Sequence, residues 1–124
     1  MNNKEKQIEG AAEQVAQITE INGDVTAEQI QAWKNQYGRV TEIGVFDEDL
    51  NERHIGYFRR PDMPTIHATN AVAKGNETKA SEVLFDNCWL GGSPLLKTDA
   101  IYKMNAVGSL GVLYSRCTGN IKNL

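Results

Sequence analysis

The chain has 124 residues, one domain's worth of polypeptide and enough for a hydrophobic core without disulfide or metal staples. Its 40% hydrophobic and 23% charged residues are the proportions of a folded globular chain rather than a disordered one. A net charge of −3 argues against a dedicated DNA-binding or membrane-surface protein, and no apolar run approaches the roughly 18 residues of a membrane span.

The charge is unevenly placed. Lys4, Lys6 and Lys34 face Glu5, Glu9, Glu13, Glu20, Asp24 and Glu28 in the first 38 residues, and the remainder is balanced. The whole net charge therefore belongs to the N-terminal third. The opening MNNKEKQIEG lacks the apolar stretch of a secretory signal, so a cytoplasmic site in a host cell is the expectation. Two cysteines, Cys88 and Cys117, are too few for a disulfide framework.

Ile8, Ala12, Val15 and Ile18 recur at spacings of four, three and three, which predicts a helix over residues 4–21 with one narrow apolar stripe. Asn22-Gly23 would stop it, leaving residues 1–24 as a helical arm before a single α+β domain over residues 25–124. Thr26-Ala-Glu-Gln29 is a capping-box pattern: the threonine hydroxyl can accept an orphan amide of the first turn. The helix it opens should reach Tyr37, with Ala27, Ile30, Trp33 and Tyr37 on one side. Gly38 suits the left-handed residue beyond its end.

The period then falls to two. Thr41, Ile43 and Val45 alternate with Val40, Glu42, Gly44 and Phe46; after an acidic tip, Ile55 and Tyr57 alternate with His54 and Phe58. This predicts a β-hairpin, ended by Arg59-Arg60-Pro61 because proline cannot continue a paired ladder. Asp62 should cap a helix with Pro64 in its first turn, Asn76 a second one reaching Trp89, and Thr98 or Asp99 a last one carrying Ile101, Met104, Val107, Leu110 and Tyr114. Gly91-Gly92-Ser93-Pro94 reads as a turn. The fold class is α+β: two N-terminal helices, an antiparallel hairpin and about three further helices.

No motif in the chain carries chemistry. His54 and His67 lie in different elements, outside any metal-ligand spacing; His54 reads as a cross-strand residue and His67 as a helix-surface residue. Cys88, in Asp86-Asn-Cys-Trp89, has no neighbouring base or cation to form a thiolate, so it reads as a small core hydrophobe. Asp47-x-Asp49-x-Asn51 resembles the opening of a calcium loop, but Glu52 stands where glycine is needed and Phe58 where the bidentate glutamate belongs. Gly108-x-x-Gly111 reads as a place of close helix packing. No cofactor and no metal is expected.

What remains is surface for other chains. A two-stranded hairpin is not stable alone in water, and an exposed strand edge is a site for strand addition. Gly44 and Gly56, one on each strand, offer smooth spots for another backbone. The candidate partner-binding residues are Tyr57, Phe58, Arg59 and Arg60 on the hairpin, with Trp89 at a helix end, although a tryptophan beside Cys88 and Leu90 also suits a core.

Three pieces occur in order: Trp33-Lys34-Asn-Gln-Tyr37-Gly38 before the first strand, Arg59-Arg60-Pro61-Asp62 after the second, and Asn87-Cys88-Trp89-Leu90-Gly91-Gly92 followed by Leu95-Leu96-Lys97-Thr98-Asp99. On these pieces the stretch from Ala32 to about Tyr114 resembles small phage and prophage proteins of the tail assembly chaperone type. The resemblance implies a non-enzymatic morphogenesis protein. Its partner would be a phage structural protein, such as the tape-measure protein or another tail component, and a homo-oligomer is compatible with it. The competing readings are a minor head or tail component of the virion, a small enzyme using Cys88 with Asp86 or His67, and a nucleic-acid-binding module centred on Arg59 and Arg60.

Overall fold

A computed structural model describes residues 17–124, apart from the side chains of Tyr114 and Ser115. In chain order the elements are β1 (Thr19–Ile21), α1 (Ala27–Tyr37), β2 (Val40–Asp47), β3 (Glu52–Arg59), α2 (Met63–Ala73), α3 (Glu77–Cys88), β4 (Trp89–Gly92), α4 (Leu95–Thr98) and α5 (Ala100–Ser115). The expected α+β class holds, with five helices and a four-stranded sheet among the described residues.

β3 is the centre of the sheet. It pairs antiparallel with β2 along its whole length, from Val40 opposite Arg59 to Asp47 opposite Glu52. Its other edge is shared by two short strands. β1 runs parallel beside the first half, with Thr19 opposite Glu52 and Ile21 opposite His54. β4 runs antiparallel beside the second half, with Gly92 opposite Gly56 and Trp89 opposite Phe58.

Two of these strands correct the sequence reading. The helix expected over residues 4–21 lies mostly outside the described residues, but its last three residues, Thr19–Ile21, are strand and belong to the sheet rather than to an arm. β-branched Thr19 and Ile21 suit that conformation, and the open backbone of β3 supplies the hydrogen bonds. Gly23 and Asp24, both with positive φ, then turn the chain into α1. Trp89–Gly92, expected as helix end and turn, is β4. Gly92 has φ of 143° and lies against the Ile55 carbonyl, where a Cβ would clash, so this closest strand approach needs glycine.

The helices follow their caps. The Thr26 hydroxyl accepts from Gln29 N–H, the Asp62 carboxylate from Thr65 N–H and the Asn76 amide oxygen from Lys79 N–H. Gly38, at φ of 84°, closes α1 by donating to the Lys34 carbonyl. Asp99 caps α5 by accepting from Ile101 and Tyr102 N–H. The short α4 before it is absent from the sequence reading.

Alternation along β3 divides the molecule into layers. Ile55 and Tyr57 point toward α1, where the Trp33 ring packs tilted against that of Tyr57, their centroids 5.9 Å apart. His54, Gly56 and Phe58 point toward the other four helices. There Phe58 meets Phe85 at 5.2 Å and Trp89 at 5.5 Å, and Leu96 of α4 fills the space over Gly56. Phe58, Phe85, Cys88, Leu96, Ala106 and Leu110 form the sealed centre of the core.

Candidate functional site

The structure separates the residues singled out on the hairpin. Tyr57 and Phe58 are 5% and 0% exposed, so both are core and neither can meet a partner. Arg59 pairs with Asp62 at 3.5 Å, lies over the Tyr37 ring and donates to the Thr65 hydroxyl, which commits it to holding β3 against α1 and α2. Trp89 is half-buried against the core with Lys97 over its ring. Arg60 alone of the five is exposed. The two smooth spots are also occupied: Arg53 lies over Gly44, and Leu96 with Trp89 lies over Gly56.

His54 lies across the hairpin from Val45, as expected, but it is 1% exposed and sits in a polar chain. Its Nδ1 lies 2.7 Å from Ser93 Oγ and its Nε2 lies 3.0 Å from Glu52 Oε2, and the Tyr102 ring packs over it at 4.8 Å. Serine, histidine and carboxylate in this order are the parts of a nucleophilic triad. A nucleophile must meet its substrate, however, and Ser93 is 0% exposed. The chain instead satisfies a buried imidazole and a buried hydroxyl and, with the Ser93 N–H donating to the Ile55 carbonyl at 2.8 Å, fastens the β4–α4 junction to β3. Cys88, 0% exposed, has its thiol pKa raised by burial, which keeps it protonated and unreactive. His67 is on the surface of α2.

The acidic tip is a turn. Asp47 Oδ1 accepts from the amides of Asp49 and Leu50, and Asn51 takes positive φ. Asp47 Oδ2 also accepts from the Tyr102 hydroxyl, which lowers the Asp47 pKa and pushes the tyrosine up to about 12. Among the described residues no group of acidic, histidine or cysteine side chains could hold a metal.

The open region is elsewhere, along the outer edge of β2. Backbone groups alternate in direction along a strand. Thr19 N–H donates to the Asn51 carbonyl and Ser93 N–H to the Ile55 carbonyl, so the odd-numbered residues of β3 serve β1 and β4, and the even-numbered ones serve β2. By the register of the hairpin, Val40, Glu42, Gly44 and Phe46 then turn their N–H and C=O groups outward. No strand pairs with them among the described residues.

Helix α5 runs beside this edge, and two depressions lie between them. One, of about 410 Å³, is lined by Gly44 to Asp49 and by Asp99, Ile101, Tyr102, Asn105 and Ser109. The other, of about 340 Å³, is lined by Arg39, Thr41, Arg60, Pro61, Ile66, Leu110, Leu113, Arg116 and Cys117. The first contains Asp47, Glu48, Asp49 and Asp99 with no basic residue, and the second three arginines with no acid. The groove is therefore acidic at the hairpin tip and basic where β2 begins.

The outer face of α5 is uncharged and largely apolar, with Asn105 and Ser109 as its exposed polar residues. Lys103 is the one charged residue of this helix, and it turns inward to Asp86 at 3.7 Å and over the Phe85 ring. Ile101 and Met104 are each 67% exposed. Gly108 and Gly111, expected at a close helix contact, have open space where a Cβ would stand. An apolar helix surface is normally covered; among the described residues Ile101 and Met104 stay exposed.

Comparison of the chain with family models, curated proteins and solved structures finds no match, so the site is interpreted from its own geometry. Among the described residues no helix is long and apolar enough to cross a membrane.

Proposed function

We propose that this chain is a non-enzymatic assembly protein that works by docking another protein along the groove between the outer edge of β2 and α5. The observation that carries the reading is the coincidence of four outward-facing backbone positions, unpaired among the described residues, with the uncharged face of the adjacent helix, where Ile101 and Met104 are exposed. An unpaired edge invites strand addition, in which main-chain hydrogen bonds supply affinity and flanking pockets supply specificity. Taken with the resemblance to tail assembly chaperones, the role is to hold a phage tail component, such as the tape-measure protein, in a soluble state before assembly. Arg60, exposed at the basic end of the groove, is the candidate partner-binding residue that such a component can reach.

The test is co-expression with the tape-measure and tail-tube proteins encoded in the same genome, read by solubility and by light scattering after size exclusion. The expected result is a soluble complex of fixed stoichiometry, and purified virions from which the chain is absent. Tail proteins that precipitate equally with and without the chain would refute the chaperone role. Stoichiometric presence in virions would instead make it a structural component.

A further inference from the structure

We infer that the occupant of the β2–α5 groove includes a second copy of this chain, joined edge to edge about a two-fold axis to give one continuous sheet. This inference rests on the reading of the groove as a protein-docking surface and names its partner. The argument is charge complementarity. An isologous interface brings each patch of one subunit against its mirror position on the other. Pairing two antiparallel β2 strands places the acidic tip of each copy at the basic end of the other, so a groove with two opposite ends becomes self-complementary. A parallel arrangement would set four acids against four acids, and like charges brought together are disfavoured.

The register follows from the backbone. Val40, Glu42, Gly44 and Phe46 are the outward-facing residues, and a two-fold axis at Ile43 sets Glu42 opposite Gly44 and Val40 opposite Phe46 of the second copy. Each of these pairs can exchange both of its backbone hydrogen bonds. The same register brings Arg39 opposite Asp47. It also brings Glu42 to the place where the second copy's Arg53 lies over Gly44, an arginine that already pairs with Glu42 of its own chain at 3.6 Å. Phe46, 46% exposed in the single chain, gains Val40 as a cross-strand neighbour. The two α5 helices then lie side by side on one face of the joined sheet, with Gly108 leaving no side chain to hold them apart.

The experiment uses the full chain and two charge reversals. The variant Arg39→Glu with Arg60→Glu makes both ends of the groove acidic, and Glu48→Lys with Asp49→Lys leaves the acidic end with two lysines against Asp47 and Asp99, so that it no longer attracts the basic one. Light scattering and sedimentation should show a dimer for the wild type, a dimer dissociation constant raised about tenfold or more for each variant alone, and a heterodimer when the two are mixed. Recovery on mixing also proves that both variants fold. The wild-type dimer itself should weaken as salt rises from roughly 50 to 500 mM, since exposed charges are screened over that range; this reading needs no substitution. A dimer indifferent to both reversals and to salt would place the contact elsewhere and overturn the inference. A monomeric wild type would overturn it as well. If that monomer still binds a tail component, and the reversals weaken the binding, the docking reading survives with a different occupant. If the reversals leave that binding unchanged, the docking reading fails too.

Discussion

β3 and β2 are neighbours in one sheet, and the chain treats them in opposite ways. β3 has both edges paired and both faces covered, with Ile55 and Tyr57 under α1 and His54 and Phe58 under the other helices. β2 has one edge paired, and its other edge opens into a groove polarised by charge. Strand β3 holds the fold together, whereas the outer edge of β2 has no strand paired with it among the described residues. Where a small domain completes one strand with two short additions, β1 and β4, and leaves the next strand open, the open one is the place to look for function.

The largest expected effect separates the two strands. Phe58→Ala should cost about 3–5 kcal/mol of unfolding free energy through the cavity it leaves, whereas Phe46→Ala, measured by the same urea titration on dilute protein, should change it by no more than about 0.5 kcal/mol. Equal losses would mean that β2 is as enclosed as β3. Next is the link between β3 and β4. Ser93→Ala removes the partner of a buried imidazole nitrogen and should cost about 1–3 kcal/mol, with a loss of amide protection in β4. If the hydroxyl instead acted on a substrate, the variant would lose an activity and keep its stability.

On the helix beside the open edge the expected sign reverses. Gly108→Ala places a methyl group in empty space and should stabilise dilute protein by about 0.5–1 kcal/mol through helix propensity. A destabilisation would show that something already covers α5.

The smallest effect is in the pH dependence of the tip. The Asp47 pKa is lowered by the Tyr102 hydroxyl, so its contribution is present above the unfolded value of 3.8 and is lost as the pH falls through the folded value. The Tyr102 pKa is raised to about 12 from 10.0, so the same hydrogen bond contributes below pH 10 and is lost as the pH rises toward 12. Tyr102→Phe should flatten the unfolding free energy in both windows, leaving the middle of the range with a uniformly lower value. Unchanged slopes at both ends would show that the Asp47–Tyr102 bond does not form in solution.

The parts of the fold legible in the sequence are those encoded locally. Thr26, Asp62 and Asn76 announced their helices because a cap acts within one turn, and the hairpin was visible in its period of two. The short strands were not. Ile18 continues the helical spacing of Ile8, Ala12 and Val15, so the strand at Thr19 has no local mark; β1 exists because β3 offers it a partner. Gly91-Gly92-Ser93-Pro94 has turn composition, yet Gly92 is strand because only glycine lets β4 approach Ile55 so closely.

The site was legible in kind but misplaced in detail. An exposed strand edge was expected, while Tyr57 and Phe58 were assigned to contact and proved to be core. Aromatic residues on a central strand are buried on both faces, and β3 became central only through β1 and β4. The Ser93–His54 bond spans 39 residues. A clue was present in the alternation, since His54 shares a face with Phe58 and a histidine on a buried face needs partners. Gly108 and Gly111 were expected to seat another helix of this chain; their exposure is visible only in three dimensions.

The most direct test is amide hydrogen exchange across the sheet. In dilute protein the amides of Val40, Glu42, Gly44 and Phe46 should exchange rapidly while those of Ile43 and Val45, bonded to β3, stay protected. Raising the protein concentration or adding the docked tail component should slow exchange at those four positions and leave the rest of β2 unchanged. Four amides that are protected in dilute protein, or that stay fast under every condition, would contradict the claim that this chain acts through the open edge of β2.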